Sequence, residues 1–402
     1  MDSLRQTLPS EVYEIIIVDN VSKDDSVDWL RQEEASWKAK TGTKNLKVLY
    51  NSENKGFPDG CNQGIRIAEP ANDIFLLNND TVVPPNAIFW LRMGLYENEK
   101  VGAVGSVSNH ANNDQMIKEK LASVEAYYEY GIKNNIPMQC PYEKKAWLMG
   151  FAAMFKRSAL EKVGYLDERF TPGNYEDNDI GYRFLKAGYT QLLCKNSFIY
   201  HFGSVGFKKN QKAFDELLVR NRQKLEGKYG FPIQEYSWVR TDLLELIEEP
   251  SDSRLSILDV GCGLGATMAK AASLFGNATV VGIEKDEKVA VLGKNLANIY
   301  QGDIENMELS FEKNGFDYII LGNVLEYLDK PMDTLEKLQG FLKEDGRFII
   351  SISKVMKRDG NLIRIEREQV ECGLNMLKEM KIERFEEGKV DYIIRGRRKF
   401  RL

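Results

Sequence analysis

The chain has 402 residues, of which 43% are hydrophobic and 29% charged, with a formal net charge of -5. That length exceeds what a single hydrophobic core ordinarily serves, so two folded domains are expected. The net negative charge argues against nucleic acid as a partner and against non-specific binding to anionic lipid, both of which need concentrated Lys and Arg. The basic end, Arg395 to Arg401, reads as a solvated strand end. Five cysteines without CxxC spacing suggest neither a zinc site nor a disulfide framework, and they fit a reducing, cytoplasmic location. No apolar run approaches the roughly 20 residues that span a bilayer, and the start lacks a signal-peptide pattern. Peripheral membrane contact through a lipid-linked acceptor stays open.

Short apolar runs alternating with amphipathic stretches predict an α/β fold. In the first half Glu14–Asp19, Leu46–Tyr50 and Ile74–Leu77 read as buried strands, each ending in polar residues. Ligands gather at the carboxyl ends of strands in open α/β sheets, so Asp19, Asn51 to Phe57 and Asn78 to Asp80 are expected to share one crevice. Asp19 could hydrogen-bond a base or ribose, or could simply cap the next helix. Asn54-Lys55-Gly56-Phe57, with Gly60, Asn62 and Gly64 behind it, is a glycine-punctuated turn into a helix. It serves either as turn chemistry alone or as backbone that approaches a phosphate at a helix N-terminus. LLNNDTVVPP, from Leu76, opens a strand onto amides and the carboxylate of Asp80, oxygen donors suited to Mg²⁺ or Mn²⁺.

Together VDNVSKDDS, NKGFPDGCNQGI and LLNNDTVVPP resemble the successive motifs of family 2 glycosyltransferases with the GT-A fold, in the rhamnosyltransferase-like branch. GFAAMFKRSALEKVGYLDERFTPGNYEDNDIGYRFLKAGY resembles the acceptor-side half of that family, and YHFGSVGF its closing histidine motif, so the resemblance spans about Ser3 to Phe207. It implies an NDP-sugar donor contacted by Asp19, Asn54 and Gly56, and a DXD-like element at Asn79 and Asp80. It also implies catalysis by Asp177 of the Glu176-Asp177 pair and a Mg²⁺ or Mn²⁺ site shared by Asp80 and His201. An inverting transfer needs a carboxylate to take the acceptor's proton, although acids at a helix start near Asn174 to Asp179 also have a structural explanation in the helix dipole. The sequence departs from the family in two ways. The chain starts at the sequence that should follow the family's first strand, so an exposed sheet edge is expected. The DXD-like element keeps one carboxylate, Asp80, with Asn78 in its first position.

A charged, helix-like stretch from Lys208 to Glu249 and the turn-forming Pro250-Ser251-Asp252-Ser253 set the expected boundaries. They give a first domain at 1–207, a helical linker at 208–250 and a second domain at 251–402. Strand-like runs follow at Ser256–Val260, Thr279–Glu284, Asp317–Gly322, Arg347–Ser353, Lys381–Phe385 and Asp391–Arg395, most separated by helical patterns as in a doubly wound sheet. The first runs into Gly261, Gly263 and Gly265, and Glu284 ends the next. Such an arrangement brings backbone close to a cofactor while an acid meets ribose hydroxyls. Gly261, Gly263 and Ala266 equally satisfy a dinucleotide fingerprint, which keeps an NAD-linked enzyme as an alternative.

Asp259 before the glycines, Gly302-Asp303-Ile304 after the third strand and NVLEYL from Asn323 after the fourth make the chain from about Leu255 resemble class I S-adenosylmethionine-dependent methyltransferases, with their Rossmann-like fold. The resemblance implies S-adenosylmethionine as cofactor. Gly261, Gly263 and Gly265 would surround its methionine part, with Asp259 near its amino group, Glu284 on the ribose, Asp303 near the adenine and Asn323 also in the binding site. Tyr327 stands where many relatives have histidine, which leaves Glu326 as a weak candidate base, and the connection from Lys354 to Met380 is short for a lid.

The expected protein is a cytoplasmic bifunctional transferase. It would pass a sugar from an NDP donor to a glycan, lipid-linked or protein acceptor and O-methylate a sugar, in surface polysaccharide or flagellar glycan assembly. The alternative is a methyltransferase whose first half is a degenerate, non-catalytic glycan-binding module.

Overall fold

The computed structural model describes residues 1–203, 211–358, 361–375 and 380–398. Residues 204–207 of the closing histidine motif and 399–401 of the basic end lie outside them. The chain divides into two compact units, Met1–Gly230 and Phe231–Leu402. The stretch 208–250, expected as a linker, is shared between them: helix Gln211–Tyr229 falls in the first unit and helices Ile233–Ser237 and Thr241–Leu244 in the second. Packing is the reason. The Asn221 amide donates to the carbonyls of Phe170 and Gly173 at 2.7 and 3.0 Å, while Leu243, Leu244 and Ile247 are buried against Ile257 and Tyr318.

In the first unit the strands are β1 (Ile15–Asp19), β2 (Leu46–Tyr50), β3 (Ile74–Leu77), β4 (Thr81–Val82), β5 (Val101–Val107), β6 (Tyr142–Lys145), β7 (Ala152–Phe155), β8 (Thr190–Phe198) and β9 (Tyr200–His201). The three apolar runs marked in the sequence form β1, β2 and β3, as β-branched and aliphatic residues favour on a pleated surface. They do not share a sheet. β1 and β2 make a two-stranded parallel sheet, whereas β3 begins a five-stranded sheet of order β3-β7-β5-β8-β6. Among the described residues β1 pairs only with β2 and β3 only with β7, so each presents one unpaired edge. Helix Phe57–Ile67 covers β1, with Gly64 close enough that a Cβ would sit 3.5 Å from Ile16. The larger sheet has Ile65, Phe155, Phe184 and Phe198 on one side and Leu91, Leu95 and Met154 on the other.

β10 (Ser256–Val260), β11 (Thr279–Glu284), β12 (Ile299–Gln301), β13 (Phe316–Gly322) and β14 (Leu342–Ser353) come next, with β15 (Val355–Arg358), β16 (Asn361–Arg364), β17 (Met380–Glu387) and β18 (Asp391–Arg398). Seven of them form one sheet of order β12-β11-β10-β13-β14-β18-β17. Its first five strands run parallel, and β18 and β17 close it antiparallel. Helices Ala266–Leu274, Glu287–Gly293 and Pro331–Gln339 connect the parallel strands. Because both faces are covered, β10 and β13 read as continuous apolar runs (Ile257, Leu258; Ile319, Ile320, Leu321), all essentially inaccessible. β15 and β16 form a separate antiparallel hairpin.

Candidate active sites

Asp19 is buried at the end of β1, and its carboxylate accepts the N–H groups of Val21 (3.1 Å) and Ser22 (3.2 Å). It therefore caps its own turn. Val21 takes φ 66° there, a left-handed conformation that costs a β-branched residue free energy. Asn20 ties three segments together: its amide donates to the Gly56 carbonyl at 2.9 Å, and its oxygen accepts from Asn51 at 2.7 Å. Asn54 accepts the Gly56 N–H at 2.9 Å and so shapes the turn itself. Gly56 sits at φ 83°, and a Cβ there would meet Thr171 at 2.7 Å. The Phe57 N–H donates to the Pro172 carbonyl at 2.9 Å, joining this turn to the loop that precedes Glu176.

At the end of β3 the structure turns Asn78 rather than Asn79 toward His201. Asn78 Nδ2 lies 3.4 Å from His201 Nε2, Asp80 Oδ1 lies 3.2 Å from the same nitrogen, and Asn79 is exposed in the turn. The antiparallel pairing of Thr81 with His201 creates this approach. His201 Nδ1 lies 2.9 Å from the His110 carbonyl, to which it can donate, leaving Nε2 as the basic nitrogen that faces Asp80. Phe151 stacks on the imidazole with ring centroids 5.0 Å apart. Burial opposes the charged imidazole, but Asp80 and the His110 carbonyl outweigh it and raise its pKa, while the Asp80 carboxyl is held low by His201. Among the described residues no group of three or more His, Cys, Asp or Glu side chains is placed to hold a metal. The Asp80 carboxylate and the His201 imidazole are donor types that a divalent cation accepts.

Helix Glu176–Lys186 starts after two successive left-handed residues, Asn174 (φ 73°) and Tyr175 (φ 74°), which turn the acidic pair inward. Asp177 Oδ2 accepts the Gly150 N–H at 3.0 Å, and Gly150 has no room for a side chain, since a Cβ would sit 2.6 Å from Asp177 Oδ1. Burial pushes the Asp177 carboxyl up to about 6. Glu176 is more deeply buried; its pKa is raised well above the usual range by burial and by Asp177, and its Oε2 has no hydrogen-bond partner among the described residues. Asp179, by contrast, is bound to Arg183 at 2.9 Å and to Tyr229 at 3.0 Å.

In the second unit β10 runs into Gly261 (φ 71°), Gly263 (φ 57°) and Gly265 (φ 84°). The Gly263 N–H donates to Glu284 Oε2 at 2.9 Å, and Glu284 Oε1 accepts the Asp286 N–H at 2.8 Å, so this acid fixes the glycine loop from the end of β11. The side-chain directions of the glycines are filled by protein. A Cβ would sit 2.6 Å from the Tyr236 carbonyl oxygen at Gly263, 2.4 Å from Val324 at Gly261 and 2.8 Å from Ala297 at Gly265. Asp259 is pushed up to about 7 by burial and by Glu284, with Arg240 opposing, and Glu284 is itself raised by burial. Two buried acids whose charged forms are disfavoured by burial, Asp259 further by Glu284, form an environment that a cationic group would stabilise, which fits the ammonium of S-adenosylmethionine. Asp303 caps its own turn by accepting the Glu305 N–H and pairs with Lys285 at 2.8 Å, which holds its carboxyl low.

Asn323, at φ 55° after β13, is held by protein on both ends of its amide. Its oxygen accepts from Arg240 and from Ser351 (3.1 Å), and its nitrogen donates to Ser353 at 2.9 Å. Arg240 is buried and spends its guanidinium on Asn323, Ser351, Asp242 and Asp391. Glu326 is enclosed: Oε1 accepts the Ser353 N–H at 2.8 Å, Oε2 is buried without a partner among the described residues, and burial raises its pKa. Tyr327 is exposed.

Residues 1–164 match the family model of glycosyl transferase family 2, and residues 251–395 match that of a methyltransferase domain. The chain carries a family 2 glycosyltransferase domain and a methyltransferase domain. The methyltransferase half is similar to a malonyl-[acyl-carrier protein] O-methyltransferase of Halalkalibacterium halodurans, 31% identical over 121 residues that make up 27% of this chain and 44% of that relative. The chain thus spans less than half the length of that protein. Similar solved structures include a SAM-dependent methyltransferase from Aquifex aeolicus (20% identity, 39% of this chain and 89% of that one, TM-score 0.33). Another is the plantazolicin methyltransferase BpumL in complex with SAH (15% identity, 47% and 99%, TM-score 0.34).

Sequence reasoning missed several residues around both transferase sites. In the glycosyltransferase half Asn109 clamps His201 through its backbone N–H (2.9 Å) and carbonyl (3.0 Å), and His110, given no role from sequence, supplies the carbonyl that orients the ring. Both follow β5, so the strand-end rule applied to the other strands would have found them. β5 was overlooked because its sequence VGAVGSV is broken by Gly102 and Gly105, which weaken a strand pattern. Those glycines answer to packing, since a Cβ at Gly102 would sit 2.6 Å from Phe184. In the methyltransferase half Arg240 and Tyr236 lie in a short helical stretch with no motif to mark them.

Proposed function

We propose that the chain is a bifunctional, cytoplasmic transferase. Its first unit moves a sugar from an NDP donor to a hydroxyl of a glycan, lipid-linked or protein acceptor, and its second O-methylates a sugar with S-adenosylmethionine, in surface polysaccharide or flagellar glycan assembly. The observation that carries the reading is the Asp177 carboxylate. It is fixed by the Gly150 N–H at 3.0 Å and raised by burial to about 6. A carboxylate so poised takes the proton of an attacking hydroxyl near neutral pH. Asp80 and His201 would hold a divalent cation, which supplies charge neutralisation on the leaving diphosphate. Asp19, Asn54 and Gly56 shape the turn that would receive the nucleotide. In the second unit Asp259, Glu284 and the glycine loop would hold S-adenosylmethionine, which supplies the electrophilic methyl group, with Asp303 and Asn323 bordering the same strand ends. Mass spectrometry of products after incubation with a panel of NDP-sugars, candidate acceptors and labelled S-adenosylmethionine tests both activities. Hexose-sized and methyl-sized mass increments support the reading, and their absence across the panel refutes it.

One observation favours a second reading, a non-catalytic glycan-binding first unit that delivers acceptor to the methyltransferase. β1 and β3 stand in different sheets, each with one edge unpaired among the described residues, so the donor-side turn rests on side-chain bridges such as Asn20 to Gly56 rather than on a continuous ladder. Glycan binding without turnover in the same assay would select it.

A further inference from the structure

The hairpin β15–β16 rises from the carboxyl end of β14, the end of the parallel sheet at which the glycine loop after β10 also lies. Its base is locked: the Lys354 N–H donates to the Val390 carbonyl and the Ile365 N–H to the Lys354 carbonyl, both at 2.9 Å. Antiparallel pairing sets Val355 opposite Arg364, Met356 opposite Ile363 and Lys357 opposite Leu362. Cross-strand partners share a face and successive residues alternate, so Val355, Lys357, Leu362 and Arg364 lie on one face. On the other face Met356 is only 5% exposed and packs the base of the hairpin against the protein, whereas Ile363 (40%) and Asn361 are open toward its tip. On the outer face Leu362 is 76% and Val355 53% exposed, and Lys357 and Arg364 are exposed beside them. Val390, next to the hairpin's base, is 65% exposed.

Aliphatic and cationic side chains thus interleave on one outward surface. Lys357 and Arg364 make this face positive, opposite in sign to the whole chain, while Lys354 and Arg367 beside it are paired with Glu387 at 2.7 Å and Glu371 at 2.8 Å. The overall charge of -5 does not cancel this, because charges further away than about 8 Å are largely screened at physiological salt. The exposed ion pair of Arg364 with Glu366 is of the weak, solvent-facing kind. A soluble polyanion would satisfy the cations and leave Val355 and Leu362 in water. A bilayer with anionic headgroups satisfies both, since aliphatic tips enter the headgroup boundary while Lys and Arg reach phosphate.

We propose that this hairpin face is a docking surface for an anionic lipid bilayer. Docking there would present a lipid-borne acceptor to the methyl-transferring end of the sheet. That consequence rests on the methyltransferase reading above, whereas the docking itself does not. The test is flotation of the full chain with vesicles of phosphatidylcholine containing phosphatidylglycerol and with vesicles of phosphatidylcholine alone. The wild-type chain should float with the anionic vesicles only. Val355→Ser with Leu362→Ser, and separately Lys357→Ser with Arg364→Ser, should each reduce the bound fraction at least about tenfold, with S-adenosylmethionine affinity by calorimetry unchanged. Absence of flotation, equal flotation with neutral vesicles, or variants that float like wild type would overturn the proposal. Retention on dextran sulfate without flotation would also overturn it, in favour of a soluble anionic partner.

Discussion

The two units solve the same problem, a polar site at strand ends, with different materials. In the methyltransferase half β11, β10, β13 and β14 are hydrogen-bonded neighbours, so Glu284, the glycine loop, Asn323 and Ser353 are placed by one ladder. Its glycines carry positive φ and are wrapped by Tyr236, Val324 and Ala297. In the glycosyltransferase half β1 and β3 belong to separate sheets, and the strand ends are joined by side chains: Asn51 to Asn20, Asn20 to Gly56, and His201 to Asp80. Where a ladder sets the geometry, a substitution acts through backbone and packing. Where individual side chains set it, each residue is expected to have a separable effect.

The largest separable effect should be at Asp177. Asp177→Asn keeps size and removes basicity, so glycosyl transfer should fall by roughly 10²-fold or more with donor affinity and methyl transfer intact. Its pH profile sharpens the test. The carboxyl is raised to about 6, only the ionised form can accept a proton, and activity is therefore present above that value and lost as pH falls through it, by about tenfold per unit below. A profile that stays flat down to the ordinary carboxylate range, or wild-type turnover by Asp177→Asn, would assign the base elsewhere. Next in size, Asp80→Ala and His201→Ala should each weaken Mn²⁺-stimulated donor binding by about tenfold or more. Donor affinity in the wild-type chain that is indifferent to EDTA and Mn²⁺ would remove the metal proposal.

Gly263→Val probes the opposite regime. A side chain at φ 57° costs about 1–2 kcal/mol, and here it also meets the Tyr236 carbonyl at 2.6 Å. S-adenosylmethionine affinity should drop by roughly tenfold or more, accompanied by faster hydrogen exchange in Ile233–Ser237, because the loss comes through displaced protein rather than through blocked ligand. Weakened binding with unchanged exchange there would show direct obstruction instead. The smallest effect is expected at Val21, where relief of the left-handed conformation in Val21→Gly should stabilise the first unit by about 1 kcal/mol. A lowered melting temperature would mean that the valine side chain contributes packing that outweighs its strain.

Much of the strand framework was legible in the sequence wherever an apolar run ended in chemistry-bearing residues. β2, β3, β10 and β11 lie at the boundaries that their apolar patterns indicate; Glu284 and the glycine loop stand out by local spacing, whereas Asp80 and Asp177 are singled out by the resemblance to the glycosyltransferase family. Periodicity and turn chemistry are local properties, so they survive without coordinates. β5 with its glycines, the hairpin β15–β16 and the division of 208–250 between the units did not show, because each depends on what the segment packs against: Phe184 beside Gly102, Met356 turned inward, Asn221 on the Phe170 carbonyl.

By itself the sequence determined the α/β class, the order of the two transferase domains and the residue types available at each strand end. Tertiary structure decided which of those residues meet. It selected Asn78 over Asn79 as the partner of His201, set Asp179 on Lys228 and Tyr229 while Asp177 was left to the Gly150 N–H, and spent the Asn323 amide on Arg240 and Ser353. The physical reason is that apolar periodicity follows from one segment's burial, whereas hydrogen-bond pairing and a raised carboxyl pKa depend on partners tens to more than a hundred residues away, whose approach is fixed only when the sheets pack.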